Sequence, residues 1–202
     1  GDTFARKHII PAHGNHEFLA QNYFALFGMP GNEEWYAVDW GDALVLSLND
    51  TVNDAEHVET LQPRFIADEL SSTSARWKIG NHHQPIYSTC TRHGSYLELR
   101  DLWASEFDAG GMDFVFAGHN HIYERSVPIK GDQEVGVGAG TQYIVTGGAG
   151  APLYRESEVE WFGEVANPTV HYIIADFGPS GVDFTVYELD SGDVIDSWSV
   201  PR

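Results

Sequence analysis

The chain has 202 residues, 42% of them apolar and 13% aromatic, enough to bury a core; this excludes disorder as its main description and fits a single domain over 1–202. Eleven Lys and Arg stand against 30 Asp and Glu, a formal charge of −19 that repels phosphate backbones and argues against a nucleic-acid partner. No apolar run nears the roughly 20 residues that cross a bilayer, and the opening GDTFARKHII lacks the layout of a signal peptide.

In chain order, residues 17–27 read as a helix, and 35–40 and 43–48 as two strands around Gly41 and Asp42, the spacing of a two-residue hairpin turn. A helix over 62–70 and a strand over 77–79 follow. The pattern over 96–108 is helical, with Leu99, Leu102, Trp103 and Phe107 on one side. Short runs rich in β-branched and aromatic residues predict strands over 114–116, 143–146, 171–175, 184–189 and 194–200, the last two closing around Asp190, Ser191 and Gly192. The chain is thus mixed α/β early and nearly all β after residue 140, with no repeat or linker. Its single cysteine, Cys90, cannot form an internal disulfide and lacks the neighbours that activate a thiol, so it reads as structural. The acids are spread evenly and only three cations are lysine, a surface that suits a salt-rich setting or simply keeps an acidic protein soluble.

Ten histidines are many for this length, and they concentrate in Gly14-Asn15-His16-Glu17, Asn81-His82-His83-Gln84-Pro85 and Gly118-His119-Asn120-His121, each expected directly after a strand. Strand ends hold side chains rigidly beside accessible loops. His119 and His121, at i and i+2 on an extended segment, project to one side and can reach one metal or two adjacent ones, with Asn120 facing away. An amide oxygen such as that of Asn15 is a neutral metal donor.

These segments, in this order, resemble the calcineurin-like metallophosphoesterases, and particularly their purple acid phosphatase branch. The likeness runs through GNHEF, WYAVDWGDALVLSLND, PRFIADEL, ARWKIGNHHQPIYS, FVFAGHNHIYERSVPI and TQYIVTGGAGAPLY to VIDSWSV. It implies a layered α/β fold, a central β-sandwich flanked by helices in four αββα layers, and hydrolysis of small phosphate esters by a metal-activated hydroxide at a dinuclear centre of Fe, Zn or Mn. The GNH[DE] motif matches Gly14 to Glu17, which makes Asn15 a ligand of the second metal and His16 a catalytic, phosphate-contacting group. The GHxH motif makes His119 a ligand of the second metal and His121 of the first. The middle motif places its ligand two residues before Pro85, which selects His83 and leaves His82 as a packed strand-end side chain. Arg92 and His93 fall in the loop where the family contacts substrate, and His93 becomes the proton donor to the leaving alkoxide. Glu124 and Arg125 are expected to brace the loop, and His8, His13, His57 and His171 match no motif.

The family's two opening Asp motifs, the second continuing to a ligating Tyr, have no counterpart. Asp2 follows a glycine but lies only 13 residues before Asn15, and no Tyr follows, so it reads as chance. The expectation is therefore four neutral ligands without a motif carboxylate, on a fold lacking its N-terminal strand-helix-strand unit. Alternatives are a catalytically incompetent fragment or regulatory module of the same fold, or a phosphodiesterase or nucleotidase. The resemblance also implies a secreted or cell-surface setting.

Overall fold

The computed structural model describes residues 6–202 apart from Asn53 and Glu156, so Asp2 lies outside the described residues. The predicted hairpin forms: β1 (Tyr36–Trp40) pairs antiparallel with β2 (Ala43–Ser47), Trp40 opposite Ala43, and Gly41 turns the chain at φ +60°, an angle glycine takes without a Cβ clash. The predicted first helix is shorter than expected. Phe18 and Leu19 adopt φ +52° and +50°, which no right-handed helix tolerates, and α1 (Gln21–Leu26) starts only after them. A π-helical turn, His57–Leu61, leads into α2 (Gln62–Ser72), followed by β3 (Trp77–His82) and α3 (Leu97–Gly110), which Gly111 ends in the left-handed conformation.

Beyond α3 come β4 (Phe114–Ala117), β5 (Tyr123–Ser126), β6 (Ile129–Lys130), β7 (Gln133–Glu134), β8 (Gln142–Thr146), β9 (Gly163–Asn167), β10 (His171–Gly178), β11 (Gly181–Glu188) and β12 (Val194–Pro201). Strand β5 is unexpected because Tyr-Glu-Arg-Ser looks like a loop. Its charges survive burial because each is paired: Glu124 accepts hydrogen bonds from Ser88 and Thr89, and Arg125 meets Asp196 at 2.7 Å.

One sheet has the order β1-β2-β3-β4-β8-β5-β9, and within it β2, β3, β4 and β8 run parallel. Both faces of this sheet are covered, which is why β4 reads as an unbroken apolar run. Leu44, Leu46 and Val115 pack on one face against Ile66 and Leu70 of α2 and Leu99, Trp103 and Phe107 of α3. Trp77, Phe114 and Ile144 pack on the other face against Val182, Phe184, Val186 and Val200 of the sheet β10-β11-β12. There Phe184 stacks on Trp198 at 4.4 Å and meets Phe114 at 4.8 Å. Helices, large sheet and small sheet thus form three of the four expected layers among the described residues; Tyr172 and Ile174, on the outer face of the small sheet, are 43% and 44% exposed.

Parallel pairing sets the register that matters. The last pair between β3 and β4 is His82 with Ala117, and the Gly118 N–H extends the ladder by donating to the His83 carbonyl at 3.0 Å. His83 and His119 are thereby delivered side by side at the carboxyl ends of adjacent strands.

Candidate metal centre

The stretch before Asn15 is not a strand, contrary to expectation. Side chains tie it across the large sheet instead: Tyr36 Oη and Ser47 Oγ donate to the Pro11 carbonyl at 2.6 and 2.8 Å, and Asn81 Nδ2 donates to the Ile10 carbonyl at 3.0 Å. Gly14 then lets the chain pass close to His83. A Cβ at this position would lie 2.6 Å from Glu17 Oε2 and 2.9 Å from His83 Nδ1, closer than side chains tolerate. The Gly14 N–H donates to the same Glu17 oxygen at 2.8 Å, which folds the GNHE segment back on itself.

Asn15 Oδ1, His83 Nε2 and His119 Nδ1 converge here. His83 Nε2 lies 2.7 Å from the Asn15 oxygen and 3.0 Å from His119 Nδ1, while the Tyr96 hydroxyl meets His119 Nε2 at 2.7 Å. A neutral His119 that donates its Nε2–H to the Tyr96 oxygen keeps its lone pair on Nδ1, facing the cluster. His83 Nε2 then has an electron-rich atom on either side and at most one proton to share with them, an arrangement a cation satisfies. The donor set therefore fits a metal ion. Among the described residues no three His, Cys, Asp or Glu side chains come together as a metal site, and the third donor here is an amide oxygen.

Burial sets the protonation of these imidazoles. His83 is lowered from its ordinary value by desolvation, opposed by the negative charges of Asp50 and Glu17. His119 falls to about 4, first through desolvation and then through His83 and His93. Both are neutral near pH 7, as metal donors must be. His119 also takes φ +61°, so the segment after β4 is a turn rather than the extended strand expected. This left-handed conformation costs about 1–3 kcal/mol and persists because its surroundings over-determine it.

The other expected residues surround this group. His121 donates Nδ1–H to the Pro152 carbonyl at 2.9 Å, since a carbonyl only accepts, which leaves the lone pair on Nε2. Its ring stacks on Tyr154 at 4.3 Å. His93 lies over His119, ring centroids 4.4 Å apart, and Nε2 reaches the Tyr154 hydroxyl at 3.4 Å; desolvation, then Arg92 and His121, lower its pKa. The Arg92 guanidinium sits 5.5 Å from the Tyr154 ring. His16 is exposed, near Phe18, and its charge acts on His83. Beneath the His93 loop, Asn120 Nδ2 donates to Ser88 Oγ and the Gly94 carbonyl, and Glu124 accepts from the Ser88 and Thr89 hydroxyls, so Glu124 braces this loop as expected. Arg125 points instead to the small sheet, bound to Asp196. His82 is buried as expected, yet it is paired with Asp50.

The chain matches the model of the calcineurin-like phosphoesterase family over residues 2–123. It belongs to that family. Within it, the chain falls in the purple acid phosphatase branch: it is 31% identical over 173 residues to acid phosphatase type 7 of Mus musculus, covering 68% of this chain and 39% of that relative. It is 32% identical over 98 residues to the Fe(3+)-Zn(2+) purple acid phosphatase 12 of Arabidopsis thaliana, covering 46% of this chain and 20% of that one. Its fold superposes on the purple acid phosphatase PPD1 of yellow lupin with a TM-score of 0.79 and 24% identity, over 88% of this chain and 34% of that one. The chain therefore spans well under half the length of these relatives. Among the described residues no helix is long and apolar enough to cross a membrane.

Three residues beside this family's histidine motifs escaped the sequence reading. Tyr96 and Tyr154 sit in loops with no local signal, and only the fold brings them to His119 and His121. Asp50, three residues past β2, did carry a signal, an acid just beyond a strand end in the parallel sheet.

Proposed function

We propose that this chain carries the histidine donors of a two-metal centre that hydrolyses small phosphate monoesters, and the observation behind this reading is that His83 Nε2 lies within 3.0 Å of both Asn15 Oδ1 and His119 Nδ1. Mixed nitrogen and oxygen donors suit Zn, Fe or Mn. When bound, the ions lower the pKa of water and offset phosphate charge. The remaining work falls to this chain's side chains. Asn15, His83 and His119 hold one ion, and His121 holds the other through Nε2. His16 and Arg92 bind the phosphate oxygens and stabilise the charge that grows on them. His93 gives its proton to the departing alkoxide, worth roughly 10²–10⁴ in rate.

These roles require a proton on His93 and none on His119. His119 holds its neutral form down to about pH 4, while His93, itself lowered, loses its proton as pH rises. The two conditions overlap in mild acid. A second reading, a non-catalytic module that keeps the fold and holds one ion, is favoured by the neutral donor set, which no carboxylate joins among the described residues.

The deciding experiment measures metal content per chain after loosely held ions are removed, with hydrolysis of an aryl phosphate followed on the same sample. Bound metal, with turnover that disappears in His83→Ala, is the expected result. Bound metal without turnover selects the second reading, and neither metal nor turnover overturns both.

A further inference from the structure

Outside the donor set, the most unusual group near the centre is a buried carboxylate. Asp50 and His82 are fully shielded side chains, with Asp50 Oδ2 and His82 Nδ1 3.1 Å apart. The same oxygen accepts the backbone N–H of Gln84 at 2.5 Å. One carboxylate oxygen thus grips the residues immediately before and after His83. The second oxygen, Oδ1, is buried with no hydrogen-bond partner among the described residues, and so is His82 Nε2. A carboxylate kept out of water with half its acceptor capacity unused is costly, and bracing the chain alone would be served as well by an asparagine.

We infer that Asp50 is a positioning residue for His83, clasping His82 and Gln84 on either side of it, and that this clasp sets the affinity of the Asn15, His83 and His119 donors for a divalent cation. The inference rests on the proposed function in taking these three as donors. Its geometry is that of a clasp on both neighbours of His83. β2 lies next to β3 in parallel register, Ser47 opposite Asn81, and the Leu48 N–H continues the ladder to the Asn81 carbonyl at 2.9 Å, which carries Asp50 to the level of His83. The His82 ring meets Trp103 edge-on at 5.5 Å, so the clasp is seated on the helical core. The negative charge of Asp50 also acts on His83, His119 and Tyr96, beneath a donor set that is otherwise neutral. Asp50 acts on the His83 ring through the chain held on either side of it and through its charge rather than by a hydrogen bond to the ring, and a metal ligand whose support is loosened binds its ion more weakly.

The test compares the 202-residue chain with Asp50→Asn, which keeps the shape and removes the charge. Two readings are taken: calorimetric titration of the metal-stripped protein with Zn²⁺, and imidazole ¹⁵N–¹H spectra of the metal-free protein. The expected result is Zn²⁺ affinity lower by about 10-fold, with the His83 ring signals moved from their parent positions as the released backbone shifts the imidazole relative to Asn15 and His119. A folded variant with unchanged affinity and unchanged His83 signals overturns the inference. If the parent chain binds none of Zn²⁺, Mn²⁺ and Fe²⁺ in the same titration, the proposed function fails by itself, and the metal-free spectra still decide whether Asp50 positions the His83 ring. If Asp50→Asn does not fold, His82→Phe removes one arm of the clasp while retaining packing on Trp103, and the same spectra decide in the same way.

Discussion

His83 touches both Asn15 and His119, and the two histidines are fixed by a strand ladder, a glycine and a tyrosine hydroxyl, whereas His16, Arg92 and His93 stand exposed on loops with ring contacts and one long 3.4 Å hydrogen bond. The two histidines are set by the sheet before any ligand arrives, and Asn15 is brought to them by a segment outside it. Arg92 and His93 have their loop placed from beneath by Asn120 and Glu124, while their side chains, like that of His16, stay exposed. On the proposed reading, the histidines that hold an ion stand on rigid strand ends and the groups that meet a changing phosphate stand on loops.

The largest way to break this contrast is His119→Ala. Removing a donor from the rigid group should cost more metal affinity than the roughly 10–100-fold lost with an outer partner, and turnover should vanish with the metal in elemental analysis. On the loop side, His93→Ala should slow hydrolysis by about 10²–10⁴ while metal content stays unchanged and stability moves by less than about 0.5 kcal/mol. Equal loss of metal in both variants would show that the two groups are one unit.

Gly14→Ala probes the joint between them. The added Cβ must displace His83 or Glu17, an overpacking that typically costs about 1–3 kcal/mol, and the displaced imidazole should weaken metal binding. Thermal melting of the metal-free and Zn²⁺-loaded chain separates these effects. The smallest effect is acid sensitivity. Burial lowers His119 to about 4 and also lowers His171, which lies against Thr146 and the Thr169 carbonyl, so the unfolded chain binds more protons than the folded one below the ordinary value of 6.5. The metal-free chain should therefore lose stability as pH falls from about 6.5 toward 4, read as a falling melting temperature. A flat profile would place these imidazoles in water.

Much of this was legible in the sequence because it depends on local pattern. The hairpin around Gly41, the apolar run of β4 and the stripe of α3 each follow from a period or a turn residue. The histidine motifs were equally plain. What the sequence hid depends on distant partners: β5 holds Glu124 and Arg125 in the interior because Ser88, Thr89 and Asp196 meet them, and none of these is near in the chain. The helix expected from residue 17 failed for a related reason, since the closing of Glu17 on Gly14 and the left-handed Phe18 and Leu19 serve the His83 pocket rather than helical propensity. Tyr96 and Tyr154 were hidden because a loop tyrosine gains meaning only from what the sheet places opposite it.

The segment that delivers Asn15 belongs to neither sheet and is held by three side-chain hydrogen bonds to the Ile10 and Pro11 carbonyls and by the buried His13 ring against Tyr23. Its backbone amides lack a ladder, so it can lift away without any strand separating. Just beyond it, Phe18 is 81% exposed in a turn of the kind proteases cut. A single nick there leaves both sheets whole and cuts Asn15 and His16 from the rest of the chain, so the site would be lost as a population long before the fold itself melts.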